Sequence, residues 1–404
     1  MKGEDMKKVL IVIHDMESGG GQKSLLSFLQ CMSKSNEIKN YDIDVMVAKP
    51  SGVFFSKIPK TVQVIQAPKE LLWLGTPFGD KLLKENFSVK GVIGKLCWFT
   101  WKKVYRDKKV LNDEQKMWRC WRNLVSTNER KYDIAISYMN GFPNYYVMDK
   151  VVAEKKILWI HNEYQKLKYN YEFDAPYYEK CDRIITISQK CEESFVEVFP
   201  QYSDKITVLE NITVQDDILK KGNEGSCEEY RGYSDLKLLS IGRLDKQKGF
   251  DMAIKAAKCL KESEVKFLWL VLGEGCQRKK LQKMIVEYGL TDSFKLLGIR
   301  ENPYIYIREC DIFVQSSRFE GKSIVLDEAK IFSKPIVVTN YSTVFDSIIN
   351  EKNGLIVDMN GKEICDAIKK LWSTPELRKK IVDELDKLNK GNEKELKKYI
   401  EIML

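Results

Sequence analysis

Thirteen short runs rich in Val, Ile, Leu and Phe alternate with helix-patterned segments in two successive blocks. The first block places strand-like runs at 9–14, 43–48, 62–66, 133–138, 157–161, 183–188 and 206–210; the second at 236–241, 266–272, 294–297, 311–315, 335–339 and 354–357. Strands that alternate with helices pair in parallel, so the chain is predicted to be α/β. A stretch rich in Gly, Ser and charge, 213–234, separates the blocks and reads as a linker. The expected architecture is two Rossmann-like domains facing across a cleft. One spans 1–212 with an insertion at 68–131, the other 235–390, and a C-terminal helix in 391–404 packs back on the first. Ligands on such sheets bind outside the C-terminal ends of the strands, which makes the cleft the expected site.

Composition narrows the setting. No apolar run approaches the ~20 residues that span a bilayer, and Val9-Leu-Ile-Val-Ile13 is too short and too soon followed by charge for a signal peptide. A cytoplasmic location is expected. The ten cysteines contain no Cys-x-x-Cys pair, and with two histidines in the chain a zinc site is not expected. In a reducing compartment most of these cysteines are expected to be small core residues. The formal charge of +9 calls for an anionic partner. No zinc-finger, homeodomain or RRM signature accompanies it, so nucleic acid is not the expected one. Part of the charge falls in the insertion, where Trp73, Trp98, Phe99, Trp101, Trp118 and Trp121 interleave with Lys102, Lys103, Arg106, Lys108, Lys109, Arg119 and Arg122. This is either an ordinary helical insertion with a tryptophan core or a surface helix pair that meets anionic lipid, with Trp at the interface.

Six strand ends carry candidate chemistry. Gly242-Arg243-Leu-Asp-Lys-Gln-Lys248-Gly249 follows a strand and opens a helix; the Arg243 fork and the Lys248 point charge both suit a diphosphate. Glu320-Gly-Lys-Ser-Ile324 precedes another helix, whose unpaired N–H groups suit a phosphate, and Glu328 lies two turns further on. Ser18-Gly19-Gly20-Gly21 follows the first strand; it matches neither a Walker A nor a clean Gly-x-Gly-x-x-Gly pattern. His161 and His14 both fall at strand ends, as do Gly273 and Gly298-Ile299.

These positions together resemble the GT-B-fold retaining glycosyltransferases of family 4, with their glycosyl transferases group 1 domain. The match runs through Gly242, Arg243, Lys248 and Gly249, then Gly273-x-Gly275, then Cys310 to Gly321, then Glu328-Ala. The Asn302-Pro-Tyr304 and Glu320-Gly-Lys-Ser stretches are most like bacterial surface-polysaccharide enzymes. The resemblance implies Glu320, His161, Arg243 and Lys248 as the catalytic set. It implies Gly20, Arg243, Lys248, Gly273, Ile299, Gly321, Lys322, Ser323, Ile324 and Glu328 as donor-binding residues. Arg243 and Lys248 would hold the diphosphate, Glu320 the transferred sugar, Glu328 the ribose, and Ile299 would meet the base. The chain departs from the family at Lys322, at Gln22-Lys23 and at Asn211-Ile212.

The implied reaction moves a sugar, with its anomeric configuration kept, from a nucleotide diphosphate to a hydroxyl of a glycan or lipid-linked acceptor. A UDP-sugar is favoured over a GDP-sugar as donor. No separate cofactor is expected, and no metal, because cationic side chains and a helix start stabilise the leaving diphosphate. An anionic membrane surface, on the inner face of the plasma membrane, is a further expected partner. Two alternatives stand: a sugar-nucleotide 2-epimerase of the same fold, and a non-catalytic partner of another transferase.

Overall fold

The computed structural model describes residues 6–104, 111–388 and 390–403. Two compact units divide the chain: Met1–Glu17, Gly21–Glu210 and Glu395–Leu404 in the first, Ser18–Gly20 and Asn211–Lys394 in the second.

The first unit holds strands β1 (Lys7–Ile13), β2 (Tyr41–Val47), β3 (Gln63–Gln66), β4 (Asn128–Ser137), β5 (Val151–Ile160), β6 (Arg183–Thr186) and β7 (Ile206–Val208). They form one sheet in the order β3-β2-β1-β4-β5-β6-β7, parallel at every pairing. The second unit holds β8 (Leu236–Ile241), β9 (Phe267–Leu272), β10 (Phe294–Gly298), β11 (Ile312–Gln315), β12 (Ile336–Thr339) and β13 (Leu355–Val357). Its order is β10-β9-β8-β11-β12-β13, again all parallel. Both orders reverse once, beside the first strand of the unit, and a crevice opens at such a switch point. In the second unit it lies between β8 and β11.

Burial on both sheet faces explains why the strands read as continuous apolar runs. Along β9, Phe267, Trp269 and Val271 join one core cluster, while Leu268, Leu270 and Leu272 join another. That alternation is the two-residue period of a strand.

The segment 213–234 differs from the linker expected of it. It contains the helix Gln215–Gly222 and a short 3-10 turn at Glu228–Tyr230. Ile218, Cys227 and Tyr230 enter the second unit's core, and the Tyr230 hydroxyl donates to Leu238 O at 2.7 Å. Three well-placed apolar side chains suffice to dock a segment whose average composition is polar. The helix Glu395–Met403 belongs to the first unit: Tyr399 stacks on Phe28 with centroids 5.0 Å apart and donates to Glu210 O at 3.1 Å.

The insertion forms the helices Lys69–Gly75, Lys81–Glu85, Val89–Val104 and Asp113–Trp121. Trp73, Trp118 and Trp121 are buried in the first core. They are therefore not interfacial tryptophans, which corrects that part of the lipid reading. Arg106, Lys108 and Lys109 lie outside the described residues, as do the side chains of Trp101, Lys102 and Lys103. No helix among the described residues is long and apolar enough to cross a membrane. Eight cysteines are free, four of them buried, and Cys259 and Cys365 are joined in a disulfide.

Candidate donor site in the second unit

The loop after β8 carries Arg243 and Lys248, and the loop after β11 carries Ser316 to Ser323, so both flank the switch point. Their backbones approach closely. Gly249 has φ +63°, and a Cβ there would lie 2.0 Å from Ser316 O; Gly273, at φ +140°, would place one 2.0 Å from Gly242 O. Only glycine combines that conformation with that approach. Gly249→Ala is therefore expected to cost about 2 kcal/mol or more. Chemical denaturation checks this, and an unchanged midpoint would contradict it.

Polar contacts then lock the two loops together. Arg318 forms a fork-to-fork pair with Asp251, at 2.9 and 2.7 Å. Its backbone N–H donates to Gln247 O at 2.7 Å, and Gln247 Nε2 donates to Phe319 O at 2.9 Å. Ser316 Oγ donates to Lys248 O at 3.0 Å.

Lys248 and Glu320 meet at the centre. Lys248 Nζ lies 2.6 Å from Glu320 Oε1, and the Glu320 side chain is buried. Ser317 Oγ donates to the same oxygen at 2.5 Å and Gln315 Nε2 at 3.2 Å. Gln315 is oriented by Ser323, whose hydroxyl donates to its Oε1 at 2.7 Å, so its NH2 must face the carboxylate. Thr343 Oγ1 donates to Glu320 O at 2.9 Å. All three side-chain donors converge on Oε1. Among the described residues Oε2 is left for another partner.

Ser323 precedes the helix Ile324–Ile331 and does not cap it; its hydroxyl is turned to Gln315 instead. Gly321, Lys322, Ser323 and Ile324 therefore form a helix start beside a lysine–carboxylate pair, where the N–H groups and the helix dipole favour an anion. Glu328 is buried within this helix, and the Tyr304 hydroxyl reaches its Oε1 at 3.4 Å. Arg243 is more exposed and lies 3.5 Å from Asp245 rather than on Glu320. The Gly273 N–H donates to Gly298 O at 2.8 Å, which joins the loops after β9 and β10 one residue before Ile299.

Lys248 and Glu320, expected on different parts of a ligand, are ion-paired with each other. Gln315, Ser317 and Thr343 carry no expectation from the sequence, although for the first two a signal exists: Gln315-Ser316-Ser317 follows an apolar run with three polar residues.

Residues 232–387 match the family described as glycosyl transferases group 1. Over these residues the second unit is similar to a glycosyl transferases group 1 domain. Glycosyltransferases are among the relatives that the chain resembles in sequence. The chain is 28% identical over 257 residues to the N-acetylgalactosamine-N,N'-diacetylbacillosaminyl-diphospho-undecaprenol 4-alpha-N-acetylgalactosaminyltransferase of Campylobacter jejuni, covering 63% of this chain and 68% of that one. It is 31% identical over 145 residues to the lipopolysaccharide core biosynthesis glycosyltransferase LpsD of Rhizobium meliloti, covering 36% and 41% of the two chains. The crystal structure of Anabaena HepE in complex with UDP and glucose superposes with a TM-score of 0.67 at 14% identity, over 98% of this chain and 99% of that one. That likeness shows the fold, GT-B. Family and fold match those of nucleotide-sugar-dependent glycosyltransferases.

Gly20, which groups with the second unit, opens the helix Gly20–Lys34. An added Cβ there would meet nothing within 4 Å, so packing within the described residues does not explain the glycine. His161 follows β5 and is buried, its Nε2 2.8 Å from Tyr138 O. The carbonyl can only accept, so Nε2 carries the hydrogen and Nδ1 keeps its lone pair. Burial pushes its pKa down to about 4, only partly offset by the bond to Tyr138. His161 is thus neutral at physiological pH. Its pKa in the unfolded chain is near 6.5, so on acidification the unfolded chain takes up this proton first. The stability from keeping His161 neutral is complete above pH ~6.5 and falls by about 3 kcal/mol as pH drops toward 4. His161→Gln is expected to flatten that slope in urea unfolding across the window; an unaltered slope would count against it.

Proposed function

We propose that this chain is a retaining glycosyltransferase. It takes a sugar from a UDP-sugar held by the group 1 domain and places it on a hydroxyl of a glycan or lipid-linked acceptor in surface-polysaccharide synthesis. The observation that carries the proposal is the Lys248–Glu320 pair beside the helix start at Gly321–Ile324. Anionic groups of a diphosphate and hydroxyls of a sugar need cationic donors and a carboxylate side by side, and this arrangement supplies both. The HepE structure, solved with UDP and glucose, supports uridine as the base. The Campylobacter relative, whose name places its acceptor on diphospho-undecaprenol, supports a lipid-linked acceptor, and an enzyme acting on such an acceptor works peripherally at a membrane surface.

In this mechanism the sugar–phosphate bond breaks as negative charge grows on the diphosphate. Arg243, Lys248 and the amides of Gly321–Ile324 stabilise that charge in place. As Lys248 turns to the phosphate, Glu320 is released to accept from a sugar hydroxyl, so binding exchanges one partner for another. The acceptor hydroxyl attacks the face from which the diphosphate departs, and the departing phosphate oxygen takes its proton. Glu328 holds the ribose, Ile299 borders the base, and Gly20 and His161 meet the sugar end of the donor.

Incubation with UDP-sugars and membrane lipid extract tests the reading. Acceptor-dependent release of UDP with a glycosylated lipid product supports it. Interconversion of the donor's own sugar without acceptor would replace it with a 2-epimerase.

A further inference from the structure

The helix Val89–Val104 is apolar on two opposite faces. Its inner face is fixed by Gly91 and Gly94, where an added Cβ would lie 2.5 Å from the Trp73 indole and 2.6 Å from that of Trp121. At 3.6 residues per turn, Val89, Ile93 and Leu96 point the other way. They are 63%, 44% and 57% exposed. A helix that is apolar outward as well as inward has a second partner to satisfy. Phe78, Phe87 and Phe99, also exposed, extend the patch. The Phe78 ring lies 6.1 Å from that of Phe99, and Phe78 and Phe87 both set their edges on Trp73.

Charge selects the partner. From 81 to 109 the sequence carries nine Lys and Arg against two acidic residues, so this stretch holds seven of the chain's nine excess positive charges. Lys81, Lys84 and Lys90 are exposed around the patch. A second copy seated here through a two-fold contact would set like charges against each other. An anionic lipid surface meets both requirements at once, apolar side chains for the acyl boundary and lysines for the headgroups.

We propose that this face is a membrane-docking surface, with the helix Val89–Val104 lying in the plane of an anionic bilayer. Ile93 and Leu96 enter the acyl boundary, and Lys81, Lys84 and Lys90 meet the phosphates. This rests on the peripheral-membrane reading given above and assigns it to one surface. The tryptophans hold the helix from below, which is the reverse of the interfacial role expected of them.

Flotation of the full chain with phosphatidylcholine vesicles, with and without phosphatidylglycerol, tests it, alongside UDP binding by calorimetry. The wild type is expected to float with the anionic vesicles and to be released by salt. Ile93→Asp with Leu96→Asp is expected to weaken binding about 100-fold or more. Lys84→Ala and Lys90→Ala are each expected to weaken it about fivefold. All four residues are exposed, so unfolding midpoints and UDP binding are expected to stay at wild-type values. UDP binding without flotation would overturn the docking surface while leaving the transferase reading intact; flotation without UDP binding would do the opposite. Flotation of the aspartate variant equal to wild type would overturn it. So would a wild-type dimer that this variant dissociates, since a second copy would then occupy the face.

Discussion

Lys248→Ala is expected to lower turnover by about 10²- to 10³-fold, the loss that follows removal of one preorganised donor from developing charge. It is also expected to destabilise the second unit. Glu320 is buried, and without the ammonium at 2.6 Å its carboxylate keeps only Ser317 and Gln315. Breaking a buried pair from one side costs about 3–5 kcal/mol. Arg243→Ala separates the two effects. Arg243 is well exposed and pairs only loosely with Asp245, so it should lose most of its turnover while stability shifts by about 0.5 kcal/mol or less. Steady-state rates and urea unfolding on both variants decide this. Near-normal turnover by either would remove it from the catalytic set.

Glu320→Gln should separate transfer from nucleotide binding. The amide keeps an acceptor for Ser317 and loses the charge that pairs with Lys248. Nucleotide contacts are proposed to come from Arg243, Lys248, the Gly321–Ile324 amides and Glu328, so UDP affinity should change by only a few-fold. The contact to the sugar is the one removed, and turnover should fall by about 10²-fold. Calorimetry with UDP beside turnover with a UDP-sugar reads the split. Equal losses in both would move Glu320 from the sugar to the nucleotide.

Much of this was legible in the sequence because parallel strands buried on both faces leave continuous apolar runs, and all thirteen appear close to where they were expected. Boundaries drifted where polar residues extend a strand. β4 begins at Asn128 and β5 at Val151, several residues early, because both strands continue through charged positions that face outward. The segment 213–234 misled for the converse reason, its three docking side chains being diluted by charge. In the site, residue types at strand ends marked Arg243, Lys248 and Glu320, but spacing could not show that Lys248 and Glu320 touch. A pair 72 positions apart forms only because β8 and β11 are neighbours at the switch point. The insertion was legible as basic and aromatic. Which aromatics face inward depended on Gly91 and Gly94, whose effect appears only once the helix packs.

The second unit is proposed to bind a nucleotide sugar through Arg243, Lys248 and the helix start at Gly321–Ile324. A thermal-shift screen against nucleotides and nucleotide sugars tests it most directly, because a ligand that binds only the folded state stabilises it by RT ln(1 + [L]/Kd), about 2.7 kcal/mol at about 100 times Kd. UDP and at least one UDP-sugar are expected to raise the melting temperature by several degrees in the wild type and not in the Arg243→Ala, Lys248→Ala double variant. No rise with any nucleotide sugar, or an equal rise in the double variant, would contradict it.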